Sequence, residues 1–323
     1  ITAETGDFLS TGDAKKESVA TYYVDASGKE TMTSYSRYSN RVFDSSHNAI
    51  AQTVLTYTDD SLASLVSAQE VRSSGFTASG VAASEIIAAY SDEGFKAVTG
   101  VEKIENTPDP QGNILHQVIT KYSGRDSKDT VAGAITPTGK LSQDVIDNSS
   151  FDSQGNPAVR AVTSTYFDST GADISTTYIS YSNSYDLYNR PLTSNVSYYS
   201  DSDRKSLTSL QKITYSEGDY DEFGNSRHQT IKTYSDKDAK VFVQATGVDR
   251  IFANRLLEAR GIATTTTSIK YSDEGLAART GKVVNLIDPK DVDSSGNVLK
   301  QDQKIYVFAG GKDVNTLHQV ITA

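Results

Sequence analysis

The sequence predicts an all-β protein: repetitive antiparallel hairpins forming a solenoid-like or continuous twisted sheet, with one or two short helical inserts. Three observations carry this. A turn of the form Asp-x-x-[Gly/Asn/His]-[Asn/Arg] recurs along the chain, and a tyrosine follows the copies at a nearly constant distance. The composition is that of a thin, half-buried sheet, with 19 Tyr, no Cys or Trp, and only 37% apolar residues. Tyr, Thr and Val suit a pleated, half-buried surface. A length of 323 residues suggests about two domains, but repeats override that estimate.

The turns start at Asp44, Asp109, Asp152, Asp186, Asp221 and Asp293. The aspartate accepts backbone N–H groups at the start of the turn, and Gly, Asn or His three residues on tolerates a positive φ. A tyrosine lies 13 residues after the aspartate at Tyr57, Tyr122, Tyr199, Tyr234 and Tyr306, and 14 after Asp152 at Tyr166. Weaker copies start at Asp25 and Asp168, which sets a period of roughly 17–18 residues, one hairpin of chain. Between turn and tyrosine the chain alternates: Ile50, Gln52 and Val54 share one face, as do Leu115, Gln117 and Ile119. A glutamine recurs eight residues after the aspartate, at Gln52, Gln117, Gln229 and Gln301. Set among apolar neighbours, it is expected to be largely buried with its amide bonded. The tyrosines are expected to stack between neighbouring rungs rather than to form a recognition surface.

A longer repeat overlies the short one. Gly80-Val-Ala followed by Tyr90-Ser-Asp-Glu-Gly94 and Thr99-Gly100 returns 181 residues later as Gly261-Ile-Ala, Tyr271-Ser-Asp-Glu-Gly275 and Thr280-Gly281. This duplication divides the chain into hairpin repeats at 1–57 and 140–234 and insert-containing blocks at 58–139 and 235–323. In the second insert, Ile251, Phe252, Leu256 and Ala259 have helical spacing before Gly261, which predicts a helix over 249–260. Residues 60–71 are its expected counterpart.

Tyr185-Asp186-Leu-Tyr-Asn189-Arg190-Pro-Leu192 resembles the Tyr-Asp (YD) repeat of bacterial Rhs-type proteins, with Tyr220-Asp221-Glu-Phe-Gly224-Asn225 and Phe151-Asp152-Ser-Gln-Gly155-Asn156 as looser versions. The whole chain resembles the repeat region of a very large bacterial surface protein. The resemblance implies a coiling sheet of hairpins, which in Rhs-type proteins builds a shell around a toxin or other cargo. It also implies an extracellular or cell-surface location.

Net charge is −10, which argues against nucleic acid as a partner, and no stretch is long and apolar enough for direct membrane insertion by a helix. Neither a nucleophile elbow, a His-Glu-x-x-His run nor a phosphate-binding loop is present. His47, His116, His228 and His318 are dispersed along the repeat, so no enzymatic activity is expected. Asp291, Asp293 and Ser295 have the alternating oxygen pattern that opens a calcium loop, against the alternative of an ordinary turn. No other cofactor is implied. Leu115–Thr120 and Leu317–Thr322 are the same hexapeptide, Tyr122 follows the first, and Ala323 follows the second. Ile1-Thr2-Ala3 also repeats residues 321–323. These matches lead to the expectation of an interior piece of a longer array that self-associates with identical or flanking repeat segments. The expected role is structural, as fibre, tube, sheath or surface layer, or else an adhesin stalk or an Rhs-like shell enclosing cargo.

Overall fold

The computed structural model describes residues 8–24, 29–131, 133–293 and 296–322. The turn starting at Asp25, the Ile1-Thr2-Ala3 match and Ser295 lie outside them. The fold is all-β and falls into two compact units, Ile1–Asn148 with Val162–Thr176, and Ser149–Ala161 with Thr177–Ala323.

In the first unit, strands β1 (Glu17–Val24), β2 (Glu30–Phe43), β3 (Ala49–Tyr57), β4 (Leu65–Ser74), β5 (Ser84–Tyr90), β6 (Val98–Pro108), β7 (Ile114–Arg125) and β8 (Pro137–Phe151) follow one another. Each pairs antiparallel with the next. Residues of β8, β9 (Pro157–Phe167) and β10 (Asp173–Tyr185) belong partly to each unit. In the second unit β10 continues into β11 (Pro191–Tyr199), β12 (Leu207–Thr214), β13 (His228–Tyr234), β14 (Phe242–Ile251), β15 (Thr265–Tyr271), β16 (Arg279–Leu286), β17 (Lys300–Ala309) and β18 (Lys312–Thr322). These too pair antiparallel in sequence. Consecutive pairing is what short connections enforce.

The core is thin, as the composition requires. In the first unit Ala68, Ala88, Tyr90, Val101 and Ile135 form the buried cluster. In the second, Val196, Leu210, Tyr234, Ala245, Val248 and Leu257 are buried. Small residues on adjacent strands let covering side chains come close. Ala68 and Ala88 have no exposed surface at all.

The helical expectations meet two corrections. A helix α1 forms in the second insert, but only over Arg255–Ala259, with the Asn254 Oδ1 capping Leu257 N–H at 3.0 Å. Asp249, Arg250 and Ile251 instead end β14, opposite Thr267, Thr266 and Thr265. Ladder pairing overrides the local apolar spacing there, and Ile251 is exposed. The expected counterpart over 60–71 is no helix: a loop precedes β4, which buries Ala68 and Glu70 with period two.

The duplicated segments follow equivalent local paths for much of their length. Asn106 N–H bonds Ala83 O and Ile287 N–H bonds Thr264 O, both at 2.8 Å, closing β5–β6 and β15–β16 identically. Upstream, Ala83 N–H closes on Gly75 O, whereas Thr264 N–H closes on Ile251 O. The second excursion is therefore five residues longer, 13 against eight, and α1 occupies it. Downstream, β6 and β7 join through the short Asp109 turn, while β16 and β17 join through residues 287–299 with a 3₁₀ turn η2 (Pro289–Asp291).

Gly112 and Gly224 both occupy the left-handed position of their turns, at φ +93° and +83°. A Cβ at Gly224 would meet nothing within 4 Å, whereas at Gly112 it would lie 2.8 Å from Ser79 Oγ. Gly224→Ala is expected to cost about 1–2 kcal/mol from backbone strain alone, and Gly112→Ala more than that. Urea denaturation of the two variants checks the order; equal or negligible losses would contradict it.

Candidate functional site

The recurring aspartates all do one job. Asp109 Oδ1 accepts N–H from Gln111 (2.9 Å) and Asn113 (2.8 Å), while Oδ2 accepts the Asn113 side-chain amide at 2.8 Å. Asp44, Asp152 and Asp221 repeat this set with Ser46 and Asn48, Gln154 and Asn156, and Phe223 and Asn225. Asp186 holds Tyr188 and Arg190 N–H groups, and the Arg190 guanidinium takes the place of the Asn amide at 2.7 Å. The residue three after each aspartate has positive φ: His47, Gly112, Gly155, Asn189, Gly224 and Gly296. Each turn thus satisfies its own inward-facing N–H groups.

Neighbouring turns also touch. In the second unit Asn156 Nδ2 donates to Asn189 Oδ1 at 2.9 Å, and Gln154 Nε2 to Leu187 O at 3.0 Å. The tyrosine preceding the aspartate reaches back one turn: Tyr185 Oη donates to Pro157 O at 3.4 Å, and Tyr220 Oη to Pro191 O. Arg190 lies over both the Tyr188 and Tyr220 rings, 4.9 and 4.8 Å from their centroids.

The strand-end tyrosines have a common geometry that spacing alone did not reveal. Tyr57, Tyr122, Tyr199, Tyr234 and Tyr306 each sit where the pairing register shifts, as do Tyr90 and Tyr271. Such a bulge bends the strand and re-aims the next side chain. Tyr57, Tyr90 and Tyr234 are buried. At Tyr90 and Tyr234 the aromatic partner is a phenylalanine, from the following loop at Tyr90 and from the next strand at Tyr234. Tyr90 meets Phe95 edge-on at 5.3 Å, and Tyr234 meets Phe242 at 5.9 Å. A second loop class follows five of these tyrosines, Tyr-[Ser/Thr]-Asp, with Asp59, Asp92, Asp201, Asp236 and Asp273 accepting loop N–H groups. Tyr234 Oη donates to Glu274 Oε1 at 2.6 Å. Burial first, and then that bond, push the Tyr234 phenol up to about 12.

The four glutamines are half-buried. Gln117 Nε2 donates to Asn106 Oδ1 at 2.9 Å, and Gln229 Oε1 accepts from Arg250 at 3.4 Å. Gln52 and Gln301 face Val71 and Ile321 across their ladders. Each histidine meets a carboxylate: His47 with Asp13, His116 with Asp147, His228 with Asp249 and His318 with Asp302. Asp293 spends both oxygens on Asn297, at 2.8 and 2.9 Å, and Asp291 ends η2. The same construction stands at the β12–β13 connection, where a 3₁₀ turn η1 (Glu217–Asp219) precedes the Asp221 turn and a one-pair bridge encloses the tip. Among the described residues, no group of three or more His, Asp or Glu side chains converges as metal ligands.

Two buried ionic clusters were invisible in the sequence. Glu70 on β4 has no exposed surface. It accepts from Arg72 at 2.8 Å, from the Tyr90 hydroxyl at 2.5 Å and from Arg125 Nη1. Arg125 in turn donates to Thr130 O and Ala134 O, tying down the β7–β8 loop. Burial, then the bond to Glu70, raise the Tyr90 phenol to about 12. In the second unit, buried Glu258 on α1 accepts from Arg227 at 2.5 Å and Arg255 at 2.8 Å. The partners lie up to 55 residues apart in the chain, so no local pattern announces them.

No family model matches the chain, and no curated protein does. Among solved structures, the crystal structure of TcdB2-TccC3 without its hypervariable C-terminal region aligns over 91% of this chain at 9% identity and a TM-score of 0.18. The chain spans 19% of that protein's length. The chain's own geometry therefore carries the functional reading.

Two outcomes are expected. The Asn amide and backbone N–H groups hold the carboxyls of Asp44, Asp109 and Asp152 below the usual carboxylate range. A depressed folded-state pKa contributes stability that is present above the unfolded value of about 3.9 and is lost as pH falls through the folded value. The thermal midpoint should stay nearly level down to about pH 4 and then drop, with a shallower drop in the Asp109→Asn/Asp152→Asn double variant. An unchanged acid limb in that variant would refute the assignment. Glu70→Gln should lower stability by up to about 3–5 kcal/mol by removing the buried charge that Arg72 and Arg125 share, leaving Arg125 with Asp129 alone, 3.4 Å from its Nε; chemical denaturation measures it, and a loss below about 1 kcal/mol, the level of an exposed ion pair, would show that solvent reaches the cluster.

Proposed function

We propose that this chain is a non-catalytic structural segment of a large extracellular bacterial repeat protein, building a fibre, tube, sheath or surface layer by association with identical or flanking repeat segments. The observation that carries the reading is the self-sufficiency of the turns. Asp44, Asp109, Asp152, Asp186 and Asp221 each satisfy their own loop's N–H groups with the same bonds, so a hairpin can be added without redesign of its neighbours. Stability then grows by nearest-neighbour terms, the property of an array that works through length. The row of Asp turns and the Tyr reach-back bonds fit the Tyr-Asp repeat resemblance. In that family such a sheet encloses cargo, so a shell is the alternative form of the same scaffold, and an adhesin stalk is another.

Sedimentation velocity across the micromolar range, with negative-stain imaging of the same samples, tests this. The expected result is elongated species whose size rises with concentration. A strictly monomeric chain throughout would count against self-association, and closed hollow particles would favour the shell.

A further inference from the structure

The face of the first unit opposite its core carries a depression of about 370 Å³. Its floor is made by Ala89 on β5 and Gly100 on β6, which are direct cross-strand partners. Side chains alternate faces along a strand, so these two lie on the far side of the sheet from buried Ala88 and Val101. Gln69, the partner of Ala89 on β4, forms one wall. Ile87, Glu102 and Lys121 form the next row across three strands, and exposed Leu141 borders it on β8. Lys121 Nζ lies 4.0 Å from Glu102 Oε2.

The duplicated segment shows that this hollow is not an unavoidable product of the repeat. The position equivalent to Ala89 is Lys270, which faces Gly281 in the same register as Ala89 faces Gly100. Glu102 and Ile87 correspond to Val283 and Ser268. The second copy thus carries an exposed lysine at the floor position and has Val and Ser in place of the Glu and Ile of the walls.

We propose that this depression binds a neutral pyranose, as a free sugar or as a residue of a glycan. Glu102 and Lys121 offset each other's charge, so a monoanion or a monocation gains little net attraction. An apolar ligand would strip water from the Gln69, Glu102 and Lys121 groups and return no hydrogen bond. Adjacent hydroxyls answer both conditions: one donates to the Glu102 carboxylate, another accepts from Lys121, and the Gln69 amide serves either role. The C–H face of the ring lies against Ile87 and Leu141. The site stands independently of the structural role proposed above.

The test is a ¹H–¹⁵N NMR titration of the full chain with the methyl glycosides of glucose, galactose, mannose and N-acetylglucosamine. At least one should shift Gly100 N–H and the Gln69 side-chain amide, with millimolar affinity. Ala89→Lys, which copies the floor of the duplicate, should abolish the shifts and leave the rest of the spectrum in place. Gly100→Ala is a second blocking variant; its Cβ would lie 3.5 Å from Tyr122 O, so the backbone accommodates it, and it should weaken binding at least tenfold. Absence of shifts for all four glycosides, or shifts that persist in both variants, would overturn the proposal.

Discussion

A sheet built only from hairpins has one recurrent physical problem: at every reversal, backbone N–H groups lose their ladder partners. At most of the described reversals this chain answers it with one carboxylate, while the β4–β5 loop uses the Thr77 hydroxyl and α1 the Asn254 amide. Asp109 takes the N–H groups two and four residues ahead with one oxygen and the Asn113 amide with the other. Everything else depends on that constraint. Because each turn is closed by its own residues, strands of different length and two classes of insert can follow one another without breaking the pairing order. The second loop class uses the same device, with Asp92 and Asp273 accepting the N–H groups that lead into the next strand.

The thinness of the core gives the tyrosines their importance. Few apolar residues are available, so burial per residue must be large, and an aromatic ring supplies it. The bulge before each strand-end tyrosine re-aims that ring, and a Phe meets it at Tyr90 from the following loop and at Tyr234 from the next strand. Where rings do not suffice, buried ion pairs occupy the space. Glu70 gathers two guanidiniums and a phenol, and Glu258 fixes the single helical turn to the neighbouring Asp221 turn, where Asn225 Nδ2 donates to Glu258 O at 2.7 Å. Such clusters specify an arrangement more than they stabilise it, since removing one partner leaves the others unsatisfied.

The duplicated segments show how one backbone pattern hosts different surfaces. Register, turn and closing hydrogen bonds agree between β5–β6 and β15–β16. The outward positions diverge, with Ala89 against Lys270 and Glu102 against Val283. Inward positions diverge as well, with the buried pair Ala88 and Val101 replaced by Ile269 and Lys282 in the same register, so the shared register and not the side chains is what the two copies keep.

The sequence by itself determined the β class, the places of the Asp turns and the strands between them, because turn chemistry and period-two alternation are local. Gly112, Gly155 and Gly224 need no partner beyond their own turn to take a positive φ. Local information misled where pairing outweighed it: residues 249–251 have helical spacing, yet the β14–β15 ladder claims them, and 60–71 leads into a strand. The Asp291–Asp293 pair has the spacing of a metal loop, and the folded turn engages both Asp293 oxygens with Asn297. Tertiary structure alone decided the bulges at the tyrosines, the union of Glu70 with Arg125, and the hollow over Ala89 and Gly100. The Glu70–Arg125 union and the hollow join residues tens of positions apart, the bulges join strands across a short loop, and which side chains meet across a sheet is set by register, a quantity that only the assembled strands possess.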